Sequence, residues 1–219
     1  MSEPAVRLIR GDVGRKANNA LTMTFGSGGD APLATALQGA GDGAGKKLGV
    51  LFGFKNGGPG NHGLTLADGT TVQVESREQQ PTVFRDGSGE QIAVAERGDS
   101  STVQTADGAI VLSIAAHPDG GKLPADSRLP DVFRTLVRDV AGAPLADLDV
   151  IRTQGGWSLG RELAEDLIWF GHAGQALKNP LVGTAISFLR EPTELELMLT
   201  LAVSVDIGIG LRPYIAEMN

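Results

Sequence analysis

No cysteine occurs in the 219 residues, which excludes disulfides, thiol catalysis and cysteine metal ligands. The same absence leaves the redox compartment open. Aromatic residues are few: seven Phe, two Trp and one Tyr. Basic residues are in deficit, 19 against 26 acidic, for a formal net charge of −7. A chain of that sign disfavours non-specific nucleic-acid binding. The opening residues, Met1 to Arg7, lack the apolar core of a signal peptide, so the expectation is a cytoplasmic protein. Familiar catalytic and metal signatures are missing as well. There is no Gly-x-Ser-x-Gly elbow and no His-Glu-x-x-His, and the three histidines His62, His117 and His172 lie far apart in turn-like contexts. Leu197 to Val205 is a stretch of uncharged residues between Glu196 and Asp206, well short of the ~20 residues that a membrane span needs.

What the chain does have is glycine, 31 residues of it, without a collagen period. Thirteen of the 38 residues from 26 to 63 are Gly, with runs at 39–45 and 56–60. This stretch reads as a glycine-rich, partly mobile segment, interrupted by one candidate strand from Lys47 to Phe54. The length suits a single domain over residues 1–219 with a real core.

Residues 64 to 114 carry a hairpin rhythm. Short alternating runs flank Asp68-Gly69, then Asp86-Gly87-Ser88-Gly89, then Asp107-Gly108. Asp-Gly between alternating runs is a strong local hairpin signal, because both residues tolerate positive φ. Three such units in succession predict an antiparallel meander. A fourth hairpin is expected from Thr135–Asp139 and Leu145–Ile151, against a competing helical reading of 130–140. A fifth would use Leu167–Phe170 and Leu181–Phe188.

The segment from Thr193 to Leu211 obeys two periods at once. Apolar residues occupy every second position from Leu195 to Leu211, which as a strand would run roughly 56 Å, far beyond ordinary length. As a helix the same residues point all round the axis, as in a helix buried on every side. Thr193-Glu194-Leu195-Glu196 fits a capping box, and Gly208, Gly210 and Pro213 offer a stop. The expectation is a helix from about Glu194 to Ile207, despite the β-branched Val203, Val205 and Ile207.

Repeated short hairpins followed by a wholly apolar C-terminal helix resemble the tubby C-terminal-like superfamily, which includes the LURP-one-related and phospholipid-scramblase-like proteins. The residues that carry the resemblance are Leu197 to Ile207, with Asp206 near the helix end, and the strand–Asp-Gly–strand units at 82–97 and 101–114. It spans roughly residues 45 to 212, and Gly208 and Gly210 depart from the expected pattern. The fold it implies is mainly β: an antiparallel β-barrel of hairpins around a buried apolar C-terminal α-helix. The function it implies is a non-enzymatic binding or scaffold protein, with anionic lipid or a protein as partner and no cofactor. Tubby proteins bind phosphoinositides through basic residues. Lys46, Lys47 and Lys55, with His62, could form such a basic edge here, although no position-by-position match can be drawn.

Other readings stay open beside it. One is an enzyme with a loop-borne site near the glycine-rich segment, using one or more histidines. Another is a structural protein–protein interaction module. Gly26-Ser27-Gly28-Gly29-Asp30-Ala31 matches G-x-G-x-x-A after a possible strand at Leu21–Phe25, but no βαβ alternation follows. Residues 40–47 brush against a P-loop, yet they lack its first Gly and place Lys47 where magnesium needs Ser or Thr. Glu162, Glu165 and Asp166 read as a solvated face, and Trp157 and Trp169 as core.

Overall fold

Alternation between buried and exposed side chains decides the architecture. In the segment Thr71–Ser76, Val72, Val74 and Ser76 are buried while Gln73 faces solvent. The same period of two recurs in the other strands, giving each one wet face and one dry face. A computed structural model of the chain describes residues 7–15, 21–27, 31–38, 60–76, 80–98, 100–118, 131–152, 182–208 and 214.

The elements run in chain order as β1 (Arg7–Arg15), β2 (Leu21–Gly26), β3 (Ala34–Gln38), β4 (Gly60–Leu66), β5 (Thr71–Ser76) and β6 (Thr82–Asp86). They continue as β7 (Gln91–Glu96), β8 (Ser101–Thr105), β9 (Ile110–Ala116), β10 (Asp131–Arg138), β11 (Pro144–Arg152) and β12 (Val182–Phe188). One helix, α1 (Glu194–Gly208), follows. Each strand pairs antiparallel with its sequence neighbours, and β1 closes on β12 through Arg7↔Phe188 to Gly11↔Thr184. Closure leaves no unpaired strand edge.

The predicted hairpins are present at β4–β5, β6–β7, β8–β9 and β10–β11. Their turns share one hydrogen-bond pattern. Gly69, Gly89, Gly108 and Gly142 each donate their N–H back to the residue three positions earlier, and each adopts a positive φ between 76° and 89°. This is a turn followed by a single left-handed residue, so one glycine per turn needs positive φ rather than two. Residues 153–181, which include the expected Leu167–Phe170 strand, lie outside the described residues. So does the candidate strand Lys47–Phe54. Within the glycine-rich stretch 26–63, β3 and the start of β4 form ordinary barrel staves.

Helix α1 lies inside the barrel. Every residue from Leu199 to Gly208 is buried, so no side of the helix is left for solvent. It reaches opposite walls of the closed strand order. The helix packs against β4, β5 and β12, Asp206 bonds to Thr82 of β6, and Gly208 lies against Met23 of β2 and Val13 of β1. The inward residues of the strands and those of the helix form one continuous apolar cluster. The expected helical start is also present. Thr193 donates its N–H to Glu196 Oε2 at 2.8 Å, and Glu196 donates its N–H to Thr193 Oγ1 at 3.3 Å, the reciprocal pair of a capping box. Among the described residues no helix is long and apolar enough to cross a membrane.

Candidate functional site

Antiparallel connectivity gives the barrel two unlike ends. The tight turns of the four hairpins and the start of α1 lie at one end, here called the turn end. The opposite, loop end receives the C-terminus of α1, and most of its connections fall outside the described residues.

At the turn end a charged network locks the helix to the wall. Arg190 donates to Glu196 through Nη2–Oε1 at 2.6 Å and Nη1–Oε2 at 3.0 Å, and its Nη2 also donates to Asp139 Oδ2 at 2.9 Å. Asp139 is fixed in turn, because its Oδ1 accepts from the N–H groups of Ala141 and Ala143, both at 2.9 Å. The bidentate Arg190 contact holds the Glu196 carboxyl below the usual range, and the hydrogen bond from Arg190 does the same for Asp139. This arrangement anchors the helix start and has the geometry of a structural clamp.

At the loop end polar groups converge inside an otherwise apolar barrel. Asp206, on the last turn of α1, is fully buried. Its Oδ2 accepts from Thr82 Oγ1 at 2.7 Å and from the Tyr214 hydroxyl at 3.0 Å. Thr82 Oγ1 lies 3.5 Å from Ser76 Oγ, and the Ser101 hydroxyl donates to the Tyr214 carbonyl. Tyr214 is itself fully buried, and burial followed by the Asp206 charge pushes its phenol well above the usual value. The other carboxyl oxygen, Asp206 Oδ1, has no hydrogen-bond partner among the described residues. A buried acceptor left unbonded is costly and calls for a reason.

A third constellation sits on the outer wall across β9, β10 and β11. In the β10–β11 register Arg134 faces Asp149 and Leu136 faces Asp147, while the alternate pairs Thr135–Leu148 and Val137–Ala146 point inward. His117 Nε2 lies 3.4 Å from Asp147 Oδ1, and Arg134 Nε donates to Asp149 Oδ1 at 3.2 Å. Burial raises the Asp149 carboxyl above its usual range, against the opposing pull of Arg134. An imidazole held by a carboxylate is a general-base geometry in principle; here the same carboxylate also faces Arg134 at 4.0 Å.

These sites differ from those the sequence suggested. Lys46, Lys47 and Lys55 lie outside the described residues, as do His172, Trp157, Trp169, Glu162, Glu165 and Asp166. His62 and His117 are not solvated turn residues. His62 points into the barrel from β4 and is buried, and His117 packs on the outer wall, so the barrel wall separates them. Among the described residues no group of three His, Asp or Glu side chains could hold a metal ion. The strand after Gly26 is β3, antiparallel to β2 across a short connection, so the G-x-G-x-x-A match has no crossover helix behind it. Tyr214 and Thr82 escaped the sequence reading. The signal that could have found them is Asp206, one acidic residue within an apolar helix, which needs polar partners once it is buried. No family model, no curated protein and no solved structure matches this chain.

Proposed function

We propose that this chain is a non-enzymatic binding or scaffold module that meets its partner on the outside or at the loop end of the barrel. The observation that carries this reading is the position of α1. Hollow eight-stranded barrels hold small ligands in the lumen. In this chain the lumen is taken by Leu199 to Gly208, so surfaces and connections are what remain for recognition. The mainly β architecture with its buried C-terminal helix also supports a tubby-like reading, in which the partner is an anionic lipid surface. Lys46, Lys47 and Lys55 are the residues assigned to that contact, each worth about 1 kcal/mol near an anionic membrane.

Co-sedimentation with phosphatidylcholine vesicles, with and without phosphatidylserine, tests the proposal. Binding should require phosphatidylserine, weaken as salt is raised, and disappear in the triple charge reversal K46E/K47E/K55E. Binding that survives the triple reversal, or none to anionic vesicles at low salt, would overturn the lipid assignment.

A further inference from the structure

We infer that the outer wall formed by β2, β3 and β4 carries a binding cleft for a neutral saccharide. A gap in one row of side chains creates it. Across the strands the register sets Thr22 beside Leu37, Leu37 beside Gly63 and Gly63 beside Gln73. Two residues further along each strand, Thr24 stands beside Thr35 and Thr35 beside Thr65. Outward side chains stand off the wall of a barrel, so a missing one leaves a hollow between its neighbours. Gly63 is that gap. The hollow runs from Gly63 and Thr65 past Leu37 to Thr22, Thr24 and Thr35, as a cleft of about 380 Å³. That volume falls within the range of small-molecule sites, about 300–1,000 Å³.

The chemistry of the lining selects the ligand class. Thr22, Thr24, Thr35, Leu37, Gly63 and Thr65 carry no charge, in a chain whose formal net charge is −7. The outward carboxylates of Asp12, beside Thr24, and Glu75, beside Asn61, stand outside the lining. Among the described residues the four threonine hydroxyls make no hydrogen bond to the protein, so all are open to a ligand. Each is one donor and two acceptors, as is each hydroxyl of a sugar ring. Leu37, 39% exposed, offers an apolar surface for the C–H face of such a ring.

Other ligand classes fit less well. An anion finds no positive charge in the lining, and an apolar ligand would cover hydroxyls that it cannot bond. A peptide strand finds no free ladder, because β2, β3 and β4 are each paired on both sides. The cleft is open to solvent, so a saccharide should bind with a Kd on the order of 1 mM.

Titration of the 15N-labelled full chain with maltotriose and with cellotriose tests the inference by amide shifts. At about 20 mM, well above that Kd, at least one of them should move the amides of Thr22, Thr35, Leu37, Gly63 and Thr65. Trigalacturonate, an anionic trisaccharide, should leave them in place. G63V fills the hollow without disturbing the strand. A Cβ there meets nothing nearer than Gln73 Nε2 at 3.6 Å, an ordinary contact, and Val suits a strand. The variant should unfold in urea as the parent does and show no shift with sugar. T35V, which removes one hydroxyl and keeps the shape, should raise Kd about fivefold. The inference does not rest on the lipid assignment, so K46E/K47E/K55E should bind saccharide as the parent does. No shift with either neutral sugar, or shifts scattered over the whole barrel, would overturn the inference. Undiminished binding by folded G63V would remove the cleft as the site, and equal shifts with trigalacturonate would overturn the selection for a neutral ligand.

Discussion

Gly89, and not Gly87, is the residue that makes the β6–β7 hairpin possible. Gly89 holds φ at 89°, whereas Gly87 does not adopt a positive φ. Asp86 completes the turn from its side chain, its Oδ1 accepting from the N–H groups of Ser88 at 2.8 Å and Glu90 at 3.0 Å. Asp86-Gly87 in the sequence therefore marks the hairpin correctly but points to the wrong glycine, because Asp86 opens the turn three positions before its left-handed glycine, whereas Asp68 and Asp107 stand directly before theirs. Gly89→Ala should cost about 1–2 kcal/mol in urea unfolding, the penalty of a left-handed Cβ, with no change in fold. Gly11 on β1 is constrained by packing. A Cβ there would sit 2.6 Å from Thr184 Oγ1 and 2.8 Å from the Phe25 ring, and would collide with the Met23 side chain. Gly11→Ala should destabilise by about 1–3 kcal/mol through overpacking, read by the same denaturation. Nothing in the local sequence Arg10-Gly11-Asp12 foretells this, since the three neighbours come from β2 and β12.

Among the elements, α1 was the most legible. Its start could be read from four residues, because a capping box is a local device whose partners lie three positions apart. The clamp beside it was not legible, because Arg190 and Asp139 are 51 positions apart and only the pairing of β12 with β11 brings them together. Thr193→Ala should lower stability by about 1 kcal/mol, the ordinary cost of a lost cap, measured by thermal or urea unfolding. The first strands were hidden for another reason. β3 turns only Ala34 and Ala36 fully inward, and β1 places Gly11 between Ile9 and Val13, so their apolar alternation is faint. Small inward residues are nevertheless what a barrel with a helix inside requires, since they leave room along that wall.

For the whole molecule, charge placement sets the response to acid. Asp68, Asp86, Asp107 and Asp139 in the turns, and Glu196 in the clamp, all have carboxyl pKa values lowered by hydrogen bonds. A carboxyl depressed by folding contributes stability that is fully present above its ordinary value near 4 and is lost as pH falls through the folded value. Asp149 carries the opposite sign, because burial raises it and its contribution fades as pH rises. With five lowered carboxyls against one raised, Tm should hold steady toward neutrality and fall below about pH 4, and D86N should flatten that acid limb. The hairpins and the helix could each be read from local pattern, whereas the closure of β1 on β12 and the meeting of Asp206 with Thr82, 124 positions away, are long-range facts that no window of sequence contains.

The claim on which the rest depends is that α1 is enclosed by the closed barrel and unfolds only with it. Native-state hydrogen exchange across a urea series measures this directly. The amides of Ala202 to Ile207 should exchange only through global unfolding, with the same free energy and the same urea dependence as the central amides of β5 and β11. Exchange of those helix amides through a smaller opening, at clearly lower free energy than the strands, would contradict it.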